Sequence, residues 1–338
     1  MVQLRNRTDG QVEQVQPQAV IDAYMRNFII YGIEGLLMTL TNFPIVLSVL
    51  RFKSLREQKE FIIVAGLAFA DGFNGFAFLV ASIGRINQLI NGDAFVLKSR
   101  WHCGTTVWNI SWTMANNLAG LMLLVISVDR LLAVSLPIRY FKFTKRYAML
   151  MVGGAFLYIG ILSSLSFVLS YQYQVPEFPA YCLVGMGMNN GFYEYFVMFH
   201  LVTSFGSVIL YAPVLLMLRK TMRNGMAATD ANKMARLVKV TTTLGIHTFF
   251  TFLFNMIPDL LILYWKVSDQ TPFYMMLNLN AMVNIFIYTL RFKELRKGLK
   301  AFFTCQEKVG VTPVFTYTNS VQQSQRKHTR SILISNNK

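Results

Sequence analysis

Residues 106–128 read TVWNISWTMANNLAGLMLLVISV, and Asp129-Arg130 follow without a break. No ionisable side chain interrupts the stretch. A hydrocarbon core of ~30 Å needs ~20 such residues in a helix, so the segment reads as a membrane span that stops at a charge pair. Six further stretches share its length and character: Phe28–Leu50, Phe61–Gly84, Ala148–Ser170, Phe192–Leu218, Leu237–Tyr264 and Pro272–Leu290. The expected fold is therefore an all-α membrane protein, a seven-transmembrane helix bundle. Composition points the same way, with 54% hydrophobic and 14% charged residues in 338 and a mean hydropathy of +0.42. Soluble domains carry roughly 25% charge. A soluble nucleic-acid binder, a disordered chain and a scaffold stapled by disulfides are excluded, the last because there are three Cys. The first 26 residues are polar, without the apolar core of a cleavable signal, so the first span is expected to act as its own insertion signal. No internal repeat is visible.

The net charge of +16 is distributed unevenly. On the N-terminal side of the spans lie three basic residues before span one, three between spans two and three, and one between spans six and seven. The opposite side holds four in Arg51–Lys59, five in Arg130–Arg146, six in Arg219–Lys239 and ten from Arg291 onward. Basic residues mark the cytosolic side of membrane helices. The chain is thus expected in the plasma membrane as a multi-pass protein, N-terminus outside and C-terminus cytosolic. Residues 1–27 form the extracellular N-terminus, 28–290 the bundle and 306–338 a disordered cytoplasmic tail. Asn6 in Asn6-Arg7-Thr8 is then a glycosylation candidate. The basic excess serves topology and contact with membrane lipids, and no nucleic-acid partner is expected.

Polar groups at bilayer depth are costly. Asp71 sits near the middle of span two, Asn42 lies in span one, and Asn278, Asn280 and Asn284 lie in span seven. Two readings stay open: interhelical hydrogen bonds that hold the bundle, or a hydrated cluster that re-pairs when helices move, around a sodium ion near Asp71. Arg130 likewise reads either as an anchor to lipid phosphate or as half of an ion pair with Asp129 that breaks on activation.

Several of these residues carry a resemblance. Leu67-Ala68-x-x-Asp71, Asp129-Arg130-Leu131 with Pro137-Ile138-Arg139-Tyr140, Phe252 with Pro258, and Asn284-Ile285-Phe286-Ile287-Tyr288 fall in order on successive spans. Together they resemble the rhodopsin-like G-protein-coupled receptors, and Asp129 to Tyr140 most resembles the nematode serpentine chemoreceptors of Srsx type. The resemblance runs from about Phe28 to Cys305. The chain departs from the superfamily pattern at Leu131 for Tyr, Ile285 for Pro and Met256 for Trp; spans four and five lack their usual Trp and central Pro. What the resemblance implies is a chemosensory receptor that binds an extracellular small molecule and activates a heterotrimeric G protein. Asp129, Arg130, Tyr211, Asn284 and Tyr288 would form the coupling and activation switch, and Asn42, Asp71 and Asn280 a polar core. Arrestin and a receptor kinase would act on the Ser/Thr-rich tail.

On the outer side, Cys103 and Cys182 are expected to pair, given the resemblance and the absence of another outer Cys; the alternative is two free thiols. Trp108, Trp112 and Asn116 recur at i, i+4 and i+8 and share a face. With Asp259, Tyr274 and Asn278 they make a candidate ligand pocket, against plain interhelical packing. On the inner side, residues 291–305 carry apolar side chains at helical spacing among basic ones. This reads as an amphipathic eighth helix in the interface, with Cys305 a palmitoylation candidate. Span seven has no Lys for a retinal Schiff base. No phosphate loop, catalytic motif or metal-ligand cluster appears, so neither an enzyme nor a cofactor is expected. A neuropeptide-type receptor is the nearest rival. An odorant-gated channel or transporter is remoter, because the spans are odd in number and show no inverted repeat.

Overall fold

A computed structural model describes residues 3–223, 231–265 and 271–306. The tail expectations, including its phosphorylation, fall outside these residues. Strands β1 (Leu4–Asn6) and β2 (Val12–Gln14) form an antiparallel hairpin. Its turn includes Gly10 at φ +77°, a conformation that glycine adopts without strain. Helices α1 (Gln18–Arg51), α2 (Lys53–Arg56) and α3 (Lys59–Ile90) follow. Next come β3 (Leu97–Ser99), α4 (Arg100–Gly104), α5 (Val107–Ser135), α6 (Pro137–Lys142) and α7 (Lys145–Ser170). Strand β4 (Pro176–Pro179) pairs antiparallel with β3, and α8 (Val184–Gly187) and α9 (Asn190–Arg223) continue the chain. Helix α10 (Ala231–Thr251), a π-helical turn (Phe252–Met256), α11 (Ile257–Trp265), α12 (Thr271–Arg291) and α13 (Lys293–Phe303) complete it.

Among the described residues six helical runs are long and apolar enough to cross a membrane: α1, α3, α5, α7, α9 and the stretch Leu237–Leu261 through the π-turn. The protein is therefore a largely helical, multi-pass membrane protein. Helix α5 continues beyond the apolar stretch, because Asp129 to Ser135 contain no breaker. It ends at Leu136, whose φ of −130° and ψ of 57° leave the helical region ahead of Pro137. Arg130 thus sits within a rigid helix rather than on a loop.

Span six, read as one helix over Leu237–Tyr264, is resolved into α10, the π-turn and α11. Pro258 has no N–H to give the carbonyl four residues back, at Phe254, and its ring crowds that carbonyl. The wider π-turn immediately upstream accommodates the misfit.

Packing between α1 and α3 depends on small residues. A Cβ placed on Gly35 would lie 2.6 Å from the Gly75 carbonyl oxygen, and one on Gly75 would lie 2.5 Å from Met38 Cβ. Close backbone approach of this kind substitutes for a hydrophobic driving force that lipid cannot supply. The main core collects Ile45, Val49, Leu67, Met122, Ile126, Tyr211, Leu244 and Tyr288 from α1, α3, α5, α9, α10 and α12.

At one end of the bundle the hairpin is stitched to the loop after α3. Gln14 N–H donates to the Phe95 carbonyl at 3.0 Å, Glu13 bridges to Val96, and Arg7 pairs with Asp93 at 2.8 Å. Helix α13 lies at the other end. Its buried residues Leu295, Gly298 and Leu299 face Leu55 and Phe52, while Arg296, Lys297 and Lys300 are exposed.

Candidate functional site

The hairpin end is roofed by the loop between α7 and α9. Cys103 and Cys182 are disulfide-bonded, with Cα atoms 5.1 Å apart. Two buried guanidiniums hold the same loop by its backbone. Arg85 donates to the carbonyls of Tyr181 at 2.9 Å and Cys182 at 3.0 Å, and Arg100 donates to the Met188 carbonyl. Gly187 is seated against Gly104 so closely that a Cβ on Gly104 would lie 2.8 Å from the Gly187 oxygen.

Beneath this roof, Trp108 Nε1 donates to the Cys182 carbonyl at 3.3 Å, and its ring covers Gly84 of α3. Trp112 points to the opposite flank and packs on Phe196 of α9 at 5.8 Å between ring centroids. The two Trp therefore reach different neighbours, and Asn116, one turn further on, is half-buried. In the N-terminal half of α5 the buried polar side chains are instead Asn109, Ser111, Thr113 and Asn117. Asn278 Nδ2 donates to Glu34 Oε2 across α12 and α1 at 2.8 Å. Asp259, just beyond Pro258, has its Oδ2 sealed from solvent without a hydrogen bond. The Tyr274 side chain lies outside the described residues.

Midway along the bundle, Asn284 Nδ2 donates to Asp71 Oδ2 at 2.5 Å. Asn42 Nδ2 donates to the carbonyls of Met38 at 3.0 Å and Ala281 at 3.1 Å. Asn280 and Thr251 exchange a contact at 3.4 Å. These bonds join α1, α3, α10 and α12 at one level. Among the described residues Asn42 Oδ1 and Asn284 Oδ1 are buried acceptors without a hydrogen bond of good geometry, with His247 close to Asn284. Among the described residues no group of three or more His, Cys, Asp or Glu is placed to hold a metal ion.

At the α13 end, Arg130 is enclosed. Its Nε donates to Asp129 Oδ2 at 2.9 Å, and Nη2 reaches the same oxygen. Nη2 also donates to Tyr140 Oη at 2.7 Å, and Tyr140 Oη lies 3.3 Å from Asp129 Oδ2. Arg130 and Asp129 are each 1% exposed, so the pair is screened little and its geometry matters. Burial keeps the Tyr140 phenol protonated, well above the ordinary tyrosine range, against the opposing pull of Arg130. Lys59 of α3 completes the enclosure. Its Nζ donates to the Tyr140 carbonyl and lies 3.6 Å from the ring centroid.

Tyr211 donates to the Thr241 carbonyl of α10 at 2.5 Å. Tyr288 lies against His247, ring centroids 6.1 Å apart, and its Oη has no hydrogen-bond partner among the described residues. Arg130 thus bonds neither Tyr211 nor Tyr288. The partner that sequence reasoning missed is Tyr140. Its signal was Pro137 at the first position of a short helix, which folds the chain back and returns a residue ten positions on to Arg130. Cys305 is an exposed free thiol just past α13, and Asn6 is exposed on β1.

A chain with at least six membrane-length apolar helices among its described residues, a disulfide-roofed end and a charge pair enclosed at the far end is open to comparison with known families. The family model described as serpentine type 7TM GPCR chemoreceptor Srsx matches residues 36–303. No curated protein matches. The matched segment runs from the second half of α1 to the end of α13, and the chain belongs to the Srsx family of serpentine seven-transmembrane chemoreceptors.

Proposed function

We propose that the chain is a chemosensory G-protein-coupled receptor of the plasma membrane, N-terminus outside and C-terminus in the cytosol. In this reading α12 is the seventh span and α13 an eighth helix lying in the inner interface. Residues 1–27, 28–290, 291–305 and 306–338 are then ectodomain, bundle, interfacial helix and tail. The observation that carries the reading is the enclosure of Arg130 by Asp129 and Tyr140 at the end crowded with basic residues. A guanidinium held by its helix neighbour Asp129 and by Tyr140 of the short helix α6 is, in this reading, a two-position device. Released, it faces the space between α5, α9 and α10, where a heterotrimeric G protein would dock.

A small extracellular molecule binding beneath the roof, among Trp108, Trp112, Asn116, Asp259, Tyr274 and Asn278, shifts the population toward the released state by binding it more tightly. Inner and outer sites are then reciprocally coupled. The roof built by Arg85, Arg100 and the disulfide supports a small ligand over a peptide, since it covers the end that a peptide would enter. The Oδ1 atoms of Asn42 and Asn284 beside Asp71 are hard oxygen acceptors that fit a sodium ion. Glycosylation at Asn6, palmitoylation at Cys305, and capture of the phosphorylated tail by arrestin after a receptor kinase belong to the same proposal.

The test is nucleotide exchange on a G protein in membranes holding the full chain. Arg130→Ala is expected to abolish ligand-stimulated exchange at equal surface expression. Full stimulation by that variant would overturn the reading.

A further inference from the structure

We infer that Lys59 is a positioning residue of the Arg130 switch: by holding Tyr140 at its ring and carbonyl, it sets the resting level of the receptor. This rests on the receptor reading above and adds a means of regulation to the same site. Tyr140 is held at two ends. Arg130 Nη2 donates to its hydroxyl at 2.7 Å. Lys59 Nζ donates to its carbonyl and lies 3.6 Å from the centroid of its ring. The ammonium is also 5.7 Å from the ring of Phe143. That ring meets Tyr140 at 5.9 Å between centroids and stacks on Tyr147 of α7 at 4.7 Å. Through Lys59, α3 grips α6 and the start of α7; through Arg130, α5 grips the same tyrosine.

Helix formation does not account for a lysine at this position. Lys59 is the first residue of α3, where the helix dipole favours an anion and disfavours a cation. It is also buried, at 8% exposure, and taking an ammonium out of water costs its hydration. Its contacts offset both costs, and those with Tyr140 set the ammonium over an aromatic face, where a desolvated cation gains most. Tyr140 in turn is no passive anchor. It is 1% exposed and shares a small core with Ala133 of α5 and Leu237 of α10. An outward displacement of the α10 end that carries Leu237 therefore disturbs the side chain that holds Arg130. Lys59 opposes that displacement at one remove: its bond is to Tyr140, and Tyr140 passes the constraint to Arg130.

The experiment measures basal nucleotide exchange on a promiscuous G protein in membranes holding the full chain, normalised to surface-labelled receptor. Lys59→Met keeps the length of the side chain and removes its charge. It is expected to raise basal exchange roughly 3- to 30-fold, the fold-change of a cation–π contact between its exposed and desolvated limits. Lys59→Gln carries the same expectation should that variant not reach the surface. Lys59→Arg, which keeps the charge, the donors and the capacity to stack on a ring, should return most of the parental level. A double variant separates positioning from simple support. With Tyr140→Phe in place there is no hydroxyl for Lys59 to aim, so adding Lys59→Met should change basal exchange by less than about twofold. Parental basal exchange in Lys59→Met, whatever its melting temperature, would overturn the inference and reduce Lys59 to a tie between α3 and α6. So would an undiminished rise in the Tyr140→Phe background, or a Lys59→Arg level equal to that of Lys59→Met. Failure of the receptor reading shows elsewhere, as full ligand-stimulated exchange by Arg130→Ala.

Discussion

Tyr140→Phe isolates one atom of the Arg130 enclosure. The substitution keeps the ring over which Lys59 sits and the aromatic contact with Phe143 at 5.9 Å, and removes only the hydroxyl. Lost with it are the 2.7 Å bond from Arg130 Nη2 and the 3.3 Å contact to Asp129. Hydrogen bonds to charged groups contribute roughly 1.5–3 kcal/mol. That corresponds to roughly 10- to 100-fold in the equilibrium between the enclosed and released states. The Asp129 pair remains, so the lower end of the range is the better expectation. A receptor whose released state is populated at roughly 1% before the change would then reach about 10%, and ligand-independent exchange would rise about tenfold. The assay is basal nucleotide exchange in membranes without ligand, normalised to surface-labelled receptor. Basal exchange equal to or below the parent, with unchanged melting temperature, would refute the idea that the hydroxyl holds Arg130 back.

Asp71→Asn should remove any dependence of ligand potency on sodium; a sodium effect of parental size would exclude a cation at Asp71. Cys103→Ser, which opens a link between residues 79 apart in sequence, should destabilise the protein by about 2–5 kcal/mol, read as a lower melting temperature and reduced surface expression. Gly75→Val should overpack the α1–α3 crossing by at least ~1–3 kcal/mol, again visible in thermal melting, because both Met38 and the Gly35 backbone lie where the side chain would go. His102, outside the spans on α4, titrates below the ordinary imidazole value of 6.5 because of partial burial first and the nearby charge of Lys98 second. The folded state therefore binds its proton less readily than the unfolded one, and stability should fall as pH drops below about 6.5. His102→Gln should flatten that slope in melting curves taken from pH 7.5 to 5.

What could be read from sequence and what could not divides along a physical line. Spans are legible because lipid imposes a composition on every residue that touches it. The run from Thr106 to Val128 announces itself for that reason. Asp71 and Asn284 are legible as polar residues at depth, but their mutual bond depends on how α3 and α12 face one another, which no local pattern encodes. The Trp108 and Trp112 spacing suggests a shared helical face, yet the rings diverge. Gly84 leaves room for one on α3, while Phe196 offers the other a partner on α9. Tyr140 was in view throughout as part of Pro137-Ile138-Arg139-Tyr140. Its role emerges only when the short helix after Leu136 turns it back on Arg130. The hairpin over residues 4–14 left almost no sequence signal. Strands of three residues are too short for alternation to show, and their pairing is completed by Asp93, Phe95 and Val96 from a distant loop.

The π-turn between Thr251 and Ile257 also acts as a length reserve. It holds about one residue more than the α-helical path would need over the same rise, and one residue of α-helix corresponds to about 100° of rotation. Tightening that turn would screw everything on its α10 side, including His247 against Tyr288 and Thr241 against Tyr211, by up to about 100°, with Asp259 stationary. Movement at the α13 end would then need no hinge to bend and no helix to slide. Such a motion would be a change of pitch, bounded by Pro258 at the head of α11.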